Sequence, residues 1–135
     1  MVIDHLGKPP LGRDDASGWE RDLRAAAAYP NVRAKVSGLN TAIERSDWRV
    51  DDLLPACAVA LDSLGPERLM CGSDWPVALL NGDYDRVWEA TRRLVEELAP
   101  GEQAGLVGDN AVRVYRIATP ETTTAYLEEG AWQSR

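Results

Sequence analysis

A chain of 135 residues with 44% apolar side chains is long enough for one domain around a single buried core and too apolar for a disordered segment. Its 15 basic and 22 acidic side chains leave a formal charge of −7, with the acids scattered among arginines rather than gathered in a block. That balance favours solubility and excludes a basic nucleic-acid binder.

The chain opens on Met1-Val2-Ile3-Asp4-His5, which lacks the basic region and apolar stretch of a signal peptide. No later run reaches transmembrane length, so a cytoplasmic location without a membrane partner is expected. Val2 to Asp4 reads as a first strand. After Ser17-Gly18 the spacing of Trp19, Leu23, Ala26 and Ala27 predicts a helix over Trp19 to Tyr29, stopped by Pro30-Asn31. Val32 to Ser37 is a second strand. A helix from Asp51 or Asp52 to Leu64 follows, ended by Gly65-Pro66, with Pro55 expected in its first turn, where a missing amide hydrogen costs little. Arg68 to Gly72 is a third strand. A helix starting near Asp83 carries Val87, Trp88, Thr91, Leu94, Val95 and Leu98 on one side and Arg92, Arg93, Glu96 and Glu97 on the solvated side. Two short helices, Glu102 to Val107 and Asn110 to Tyr115, complete a unit over 1–118. Residues 119–135 turn polar and read as a loosely held tail with a weak helix near Tyr126. Cys57 and Cys71 form no CxxC pair and lie in apolar runs, which predicts two reduced thiols packed as small hydrophobes.

Strands with continuous apolar character, alternating with helices, imply right-handed crossovers and an α/β fold with a parallel sheet. Periodicity leaves open whether that sheet is a small open one or part of a closed barrel.

In parallel α/β folds, ligands bind at the C-terminal edge of the sheet. Asp74, in the run Leu69-Met70-Cys71-Gly72-Ser73-Asp74-Trp75-Pro76, lies at such an edge, where a carboxylate can bind a metal or take a proton from water. Burial beside Trp75 would tend to raise its pKa toward a useful range. The alternative is a turn-capping aspartate before Pro76. His5, the only histidine, follows the first strand directly and suits metal ligation or proton transfer, or else a structural role, with Asp4 partnering a backbone amide or a neighbouring strand. Lys35 interrupts an apolar strand and shares a face with Ser37, so it either meets a carboxylate or stands in solvent on an edge strand. Nucleotide-binding glycine loops, HExxH and GxSxG are absent from the sequence, and the aspartates at 47, 51, 52, 83 and 85 lack the spacing of a calcium loop.

The ordered set Asp4-His5-Leu6-Gly7-Lys8-Pro9, Lys35-Val36-Ser37-Gly38-Leu39, Arg68 to Pro76 and Gly108-Asp109-Asn110-Ala111 resembles the lactonase branch of the amidohydrolase superfamily, which includes L-fuconolactonase-like and 2-pyrone-4,6-dicarboxylate lactonase-like enzymes. The resemblance runs from about Val2 to Ile117 and covers the C-terminal half of such an enzyme. It implies part of a (β/α)8 barrel whose N-terminal strands are missing, and hydrolysis of a lactone or related bond at the C-terminal rim. It casts Asp74 as general base or metal ligand, His5 as metal ligand or carbonyl-polarising group, Lys8 as a contact to an anionic substrate and Asn110 as the structural start of the last helix. Lys35 and Trp75 join Lys8 as expected substrate contacts. The resemblance also implies a divalent metal such as zinc, held by Asp74 and His5, although the HxH strand that begins the family's pattern has no counterpart here. Two readings result. One is a truncated lactonase-type hydrolase with little activity alone. The other is a non-catalytic half-barrel that self-associates as a homo-oligomer or pairs with a separate N-terminal half, since open sheet edges are adhesive.

Overall fold

The computed structural model describes residues 1–118 apart from 14 and 97. The expectations for the tail over 119–135, including its helix near Tyr126, and for Glu97 lie outside the described residues. Three strands, β1 (Val2–Ile3), β2 (Arg33–Val36) and β3 (Leu69–Cys71), form one parallel sheet in the order β1-β2-β3. Val2 lies opposite Arg33, and Ala34 opposite both Ile3 and Leu69. Helix α1 (Ser17–Ala27) and helix α2 (Val50–Leu64) make the two crossovers. Helix α3 (Tyr84–Val95) follows β3, and a last stretch comprises α4 (Pro100–Ala104), a π-helical turn (Gly105–Asp109) and α5 (Asn110–Tyr115). Among the described residues no helix is long and apolar enough to cross a membrane.

The core lies between the sheet and its helices. Leu23 and Ala27 of α1, Leu53, Cys57, Ala60 and Leu64 of α2, and Val87, Ala90 and Val95 of α3 are buried with Ala34, Val36 and Leu69 of the strands. With the buried Thr91 between Val87 and Val95, these helical residues recur mainly at spacings of three and four, so each helix turns one stripe inward. Cys57 and Cys71 are free thiols. Burial pushes both up to about 12, with the nearby Cys71 adding to the rise at Cys57.

Several boundaries differ from the sequence expectation, among them those of α2 and of the C-terminal helices. Helix α2 begins at Val50, so Pro55 is its sixth residue and lies beyond the first turn. The carbonyl of Asp51 loses its helical partner there, but Asp51 and Pro55 are both on the exposed side, where water can replace the bond. The start is set by Asp52, whose carboxylate accepts the Arg49 amide at 2.6 Å. The C-terminal pieces also begin earlier than expected, at Pro100, and run on through the π-helical turn without a break.

Two polar side chains tie the helices to β3. Arg68 donates to the carbonyls of Leu64 at 2.7 Å, Ser63 at 3.1 Å and Ala27 at 2.9 Å, so one guanidinium closes the C-terminal ends of α1 and α2. Asn110, 1% exposed, donates to the carbonyls of Pro66 at 2.8 Å and Leu69 at 2.7 Å, which anchors α5 on the third strand. Replacing Asn110 by Ala leaves both carbonyls without that partner. The expected loss is about 2 kcal/mol of stability, measured as a lowered urea midpoint at unchanged slope; an unshifted midpoint would remove Asn110 from this role.

Candidate active site

Each strand is followed, at its C-terminal end, by a residue in the left-handed region: His5 at φ 55°, Gly38 at φ 57° and Asp74 at φ 59°. After β1 the whole run His5-Leu6-Gly7-Lys8 is left-handed, with φ of 55°, 50°, 73° and 57°. Such a conformation costs about 1–2 kcal/mol for each non-glycine residue, so it persists only where the surroundings impose it. Here Leu6 is fully buried and its carbonyl accepts the Trp19 indole N–H at 2.7 Å. The Lys8 amide donates to the His5 carbonyl at 2.9 Å, and the Lys8 ammonium reaches the Gly38 carbonyl at 3.3 Å and Thr41 Oγ1 at 2.5 Å. After β3, the Asp74 carbonyl accepts the Ala78 amide at 2.9 Å, and the Trp75–Pro76 peptide bond is cis.

The loops after β2 and β3 are locked together by amides. Asn81 Nδ2 donates to the carbonyls of Asn40 at 2.8 Å and Ile43 at 2.7 Å, while Asn40 Nδ2 donates to the Ala78 carbonyl at 2.7 Å. The Trp48 indole donates to the Asn81 carbonyl at 2.7 Å, and the Arg86 guanidinium lies over the Trp48 ring at 4.1 Å. This lock fixes Gly38 relative to Asp74.

These turns bring His5 and Asp74 together. His5 Nδ1 lies 2.9 Å from Ser37 Oγ, and His5 Nε2 lies 3.6 Å from Asp74 Oδ1. Asp74 Oδ2 is buried and has no hydrogen-bond donor among the described residues. A separation of 3.6 Å is too long for a hydrogen bond. It is close to the spacing of about 3.4 Å between two donors on one tetrahedral zinc ion with bonds of about 2.0–2.1 Å. Gly38 closes the floor of this space: a Cβ there would collide with Asp74 Oδ2 and stand 2.8 Å from His5 Nδ1. Asp74 Oδ1 and His5 Nε2 at this separation fit a cation held by two ligands, with the second carboxylate oxygen, Oδ2, buried against Gly38. Among the described residues no group of three or more His, Cys, Asp or Glu side chains could hold a metal ion.

The remaining candidates lie around this pair. Lys35, on the central strand, pairs with Asp4 at 2.8 Å and faces the Tyr115 ring at 5.6 Å, so its carboxylate partner is Asp4, directly after the neighbouring strand, rather than Asp74. The Asp4 carboxylate, followed by the Tyr115 hydroxyl, holds the Lys35 ammonium above its ordinary pKa, and the same bond holds Asp4 below the usual carboxylate value. The Trp75 side chain is largely exposed and packs edge-on against Tyr84, with ring centroids 5.9 Å apart. Lys8 braces the Gly38 loop. A cavity of 320 Å³ between α3 and α4, lined by residues that include Trp88, Arg92 and Gln103, is formed without His5 or Asp74. Sequence reasoning missed Gly38 and the Asn40–Asn81 lock. A glycine directly after a strand's last polar residue was the available signal for a left-handed turn; nothing local marked the two asparagines.

Known proteins are similar to most of this chain. L-fucono-1,5-lactonase of Burkholderia multivorans is 43% identical over 133 residues, a match covering 89% of this chain and 44% of that enzyme. 4-sulfomuconolactone hydrolase of Rhizobium radiobacter is 34% identical over 76 residues, covering 56% of this chain and 25% of the relative. The crystal structure of an amidohydrolase from Burkholderia multivorans with bound zinc superposes with a TM-score of 0.81 at 43% identity, over 87% of this chain and 44% of that one. The chain therefore spans less than half the length of these relatives. Its open sheet is the corresponding part of a (β/α)8 barrel whose N-terminal strands are not among these 135 residues. With the amidohydrolase family profile matching residues 1–117 as well, the chain belongs to the amidohydrolase family.

Proposed function

We propose that the chain carries part of the catalytic apparatus of a lactone hydrolase, with Asp74 as the base that activates water. The observation that carries this reading is the His5–Asp74 pair, 3.6 Å apart at the C-terminal edge of a parallel sheet, with Asp74 Oδ2 buried and free to accept a proton. The names of the relatives, an L-fucono-1,5-lactonase and a 4-sulfomuconolactone hydrolase, point to a cyclic ester as the substrate class.

In this mechanism Asp74 takes a proton from water as the water oxygen attacks the lactone carbonyl, and the proton then passes to the leaving alkoxide. His5 either helps hold a divalent ion or directs Nε2–H at the carbonyl oxygen. A zinc ion, when bound by His5 and Asp74, would supply Lewis-acid polarisation of the carbonyl. Lys8, Lys35 and Trp75 are the proposed substrate contacts; Lys8 bonds to the Gly38 carbonyl, and Lys35 shares its charge with Asp4.

Two protein ligands are fewer than the three or four of a zinc site. The 135-residue chain alone is therefore expected to bind zinc weakly and to hydrolyse lactones near background, and a fragment supplying the family's first strands is expected to raise both. A second reading, a half-barrel acting only through self-association or pairing with a separate N-terminal half, draws on one observation: among the described residues β1 and β3 each pair with β2 alone, which leaves both outer edges of the sheet without a further strand.

The restored turnover is expected to fall about 10²- to 10⁴-fold on Asp74→Asn, because the amide keeps the shape but cannot accept the water proton. Robust turnover by the purified chain, unaffected by Asp74→Asn, would falsify the role of Asp74. Turnover absent from every combination, together with a stable oligomer in light scattering, would favour the second reading.

Gly38→Ala separates the site from the fold. The added methyl is expected to cost about 1–2 kcal/mol of stability through its positive φ, while pushing His5 and Asp74 apart and abolishing zinc retention by the complemented protein. Zinc retention at the wild-type level in Gly38→Ala, followed by calorimetry, would show that this glycine is not the floor of the site.

A further inference from the structure

We propose that Ser37 is a positioning residue for His5, holding the imidazole with Nε2 turned toward Asp74 in either neutral proton arrangement of the ring. The inference rests on the reading of His5 and Asp74 as the reactive pair. Its own basis is the contact on the opposite side of the ring.

The His5 ring projects from a left-handed turn and is exposed on part of its surface, with 26% of the side chain accessible. Its hydrogen-bonding contact to the protein is Nδ1 to Ser37 Oγ at 2.9 Å; the approach of Nε2 to Asp74 is too long to be one. Ser37 is 6% exposed and follows the last residue of the central strand, so the partner is more rigid than the group it holds. Gly38 beyond it leaves no side chain between the hydroxyl and the ring.

The chemistry of the partner adds a second point. Carboxylates and carbonyls behind a metal-binding histidine only accept, and so force the proton onto the nitrogen they face. A hydroxyl both donates and accepts. When Nε2 keeps its lone pair for a cation, Nδ1–H donates to Ser37 Oγ. When Nε2 bears the proton and turns it toward the Asp74 carboxylate, Ser37 O–H donates to Nδ1. Ser37 therefore keeps the ring in place while the proton changes nitrogens, which a fixed acceptor does not allow.

His5 is the only histidine in the chain, so nitrogen-15 NMR reads its ring without assignment. In the metal-free 135-residue chain the expected form carries the proton on Nε2, with Nδ1 at the shift of a hydrogen-bonded imine nitrogen. Zinc is expected to move the proton to Nδ1. In Ser37→Ala the Nδ1 signal should move to that of an unbonded nitrogen and the zinc dissociation constant should rise about tenfold, whereas Ser37→Thr, which keeps the hydroxyl, should restore both. A Ser37→Ala chain with wild-type ring signals, or a Ser37→Thr chain indistinguishable from it, overturns the proposal. If wild-type zinc binding is too weak to titrate, the metal-free ring signals alone decide. If Ser37→Ala does not fold, the near-isosteric Ser37→Cys replaces it and must move the Nδ1 signal the same way. Lactone hydrolysis plays no part in this readout, so ring signals that respond to Ser37, with no turnover even after the family's first strands are supplied, would count against the lactonase reading and leave Ser37 in place.

Discussion

The site depends on the backbone leaving each strand in the left-handed region. A parallel sheet puts its C-terminal strand ends on one edge, but it does not by itself make side chains from different strands converge. The positive φ at His5, Gly38 and Asp74 does so: it bends each connection back over the sheet edge within a few residues, and the histidine and the carboxylate then face each other across a residue without a side chain. Two of these three residues are not glycine and carry a steric cost that their neighbours must offset. The buried Leu6, the Trp19 indole and the Lys8 ammonium do this for the first turn, and the Asn40–Asn81 lock holds the loops around the other two.

This division explains what was legible in the sequence. The strands and the faces of α1, α2 and α3 follow from apolar spacing, which local physics fixes. Asp74 and His5 were visible because each stands just after an apolar strand, and alternation of strands and helices puts such ends on one edge. The partner of Lys35 was not visible. It depends on register, since Asp4 comes level with Lys35 only because Val2 lies opposite Arg33. The bond from Ser37 to His5 was hidden for a similar reason: it needs the left-handed turn at His5, and histidine and leucine carry no signal for a conformation normally left to glycine and asparagine. Pro55 was expected in the first turn because the helix start was read from Asp51 or Asp52, whereas the Asp52 carboxylate caps the amide of Arg49 and the helix begins at Val50.

Electrostatics divide the charged groups around the site into two sets. Asp4 and Lys35 neutralise each other between β1 and β2, and the group that pairs with the Asp74 carboxylate among the described residues is His5. A buried oxygen without a donor is costly in a finished protein. At a functional site, that cost is the counterpart of a preformed place for a proton or a cation.

The Asp4–Lys35 pair also bears on assembly. Alternation along β2 turns Ala34 and Val36 to the helices and Lys35 to the opposite side of the sheet. Strands of a parallel sheet are usually aliphatic on both sides, and such a surface left bare would shed water and adhere indiscriminately. An ion pair in its middle keeps that side wetted. Any layer that later covers it must strip water from two charges, at a cost of several kcal/mol per ion, and only a pair already formed keeps the cost down. The register of β1 and β2 thus lets the sheet match these two charges by itself, with no contribution from a covering layer.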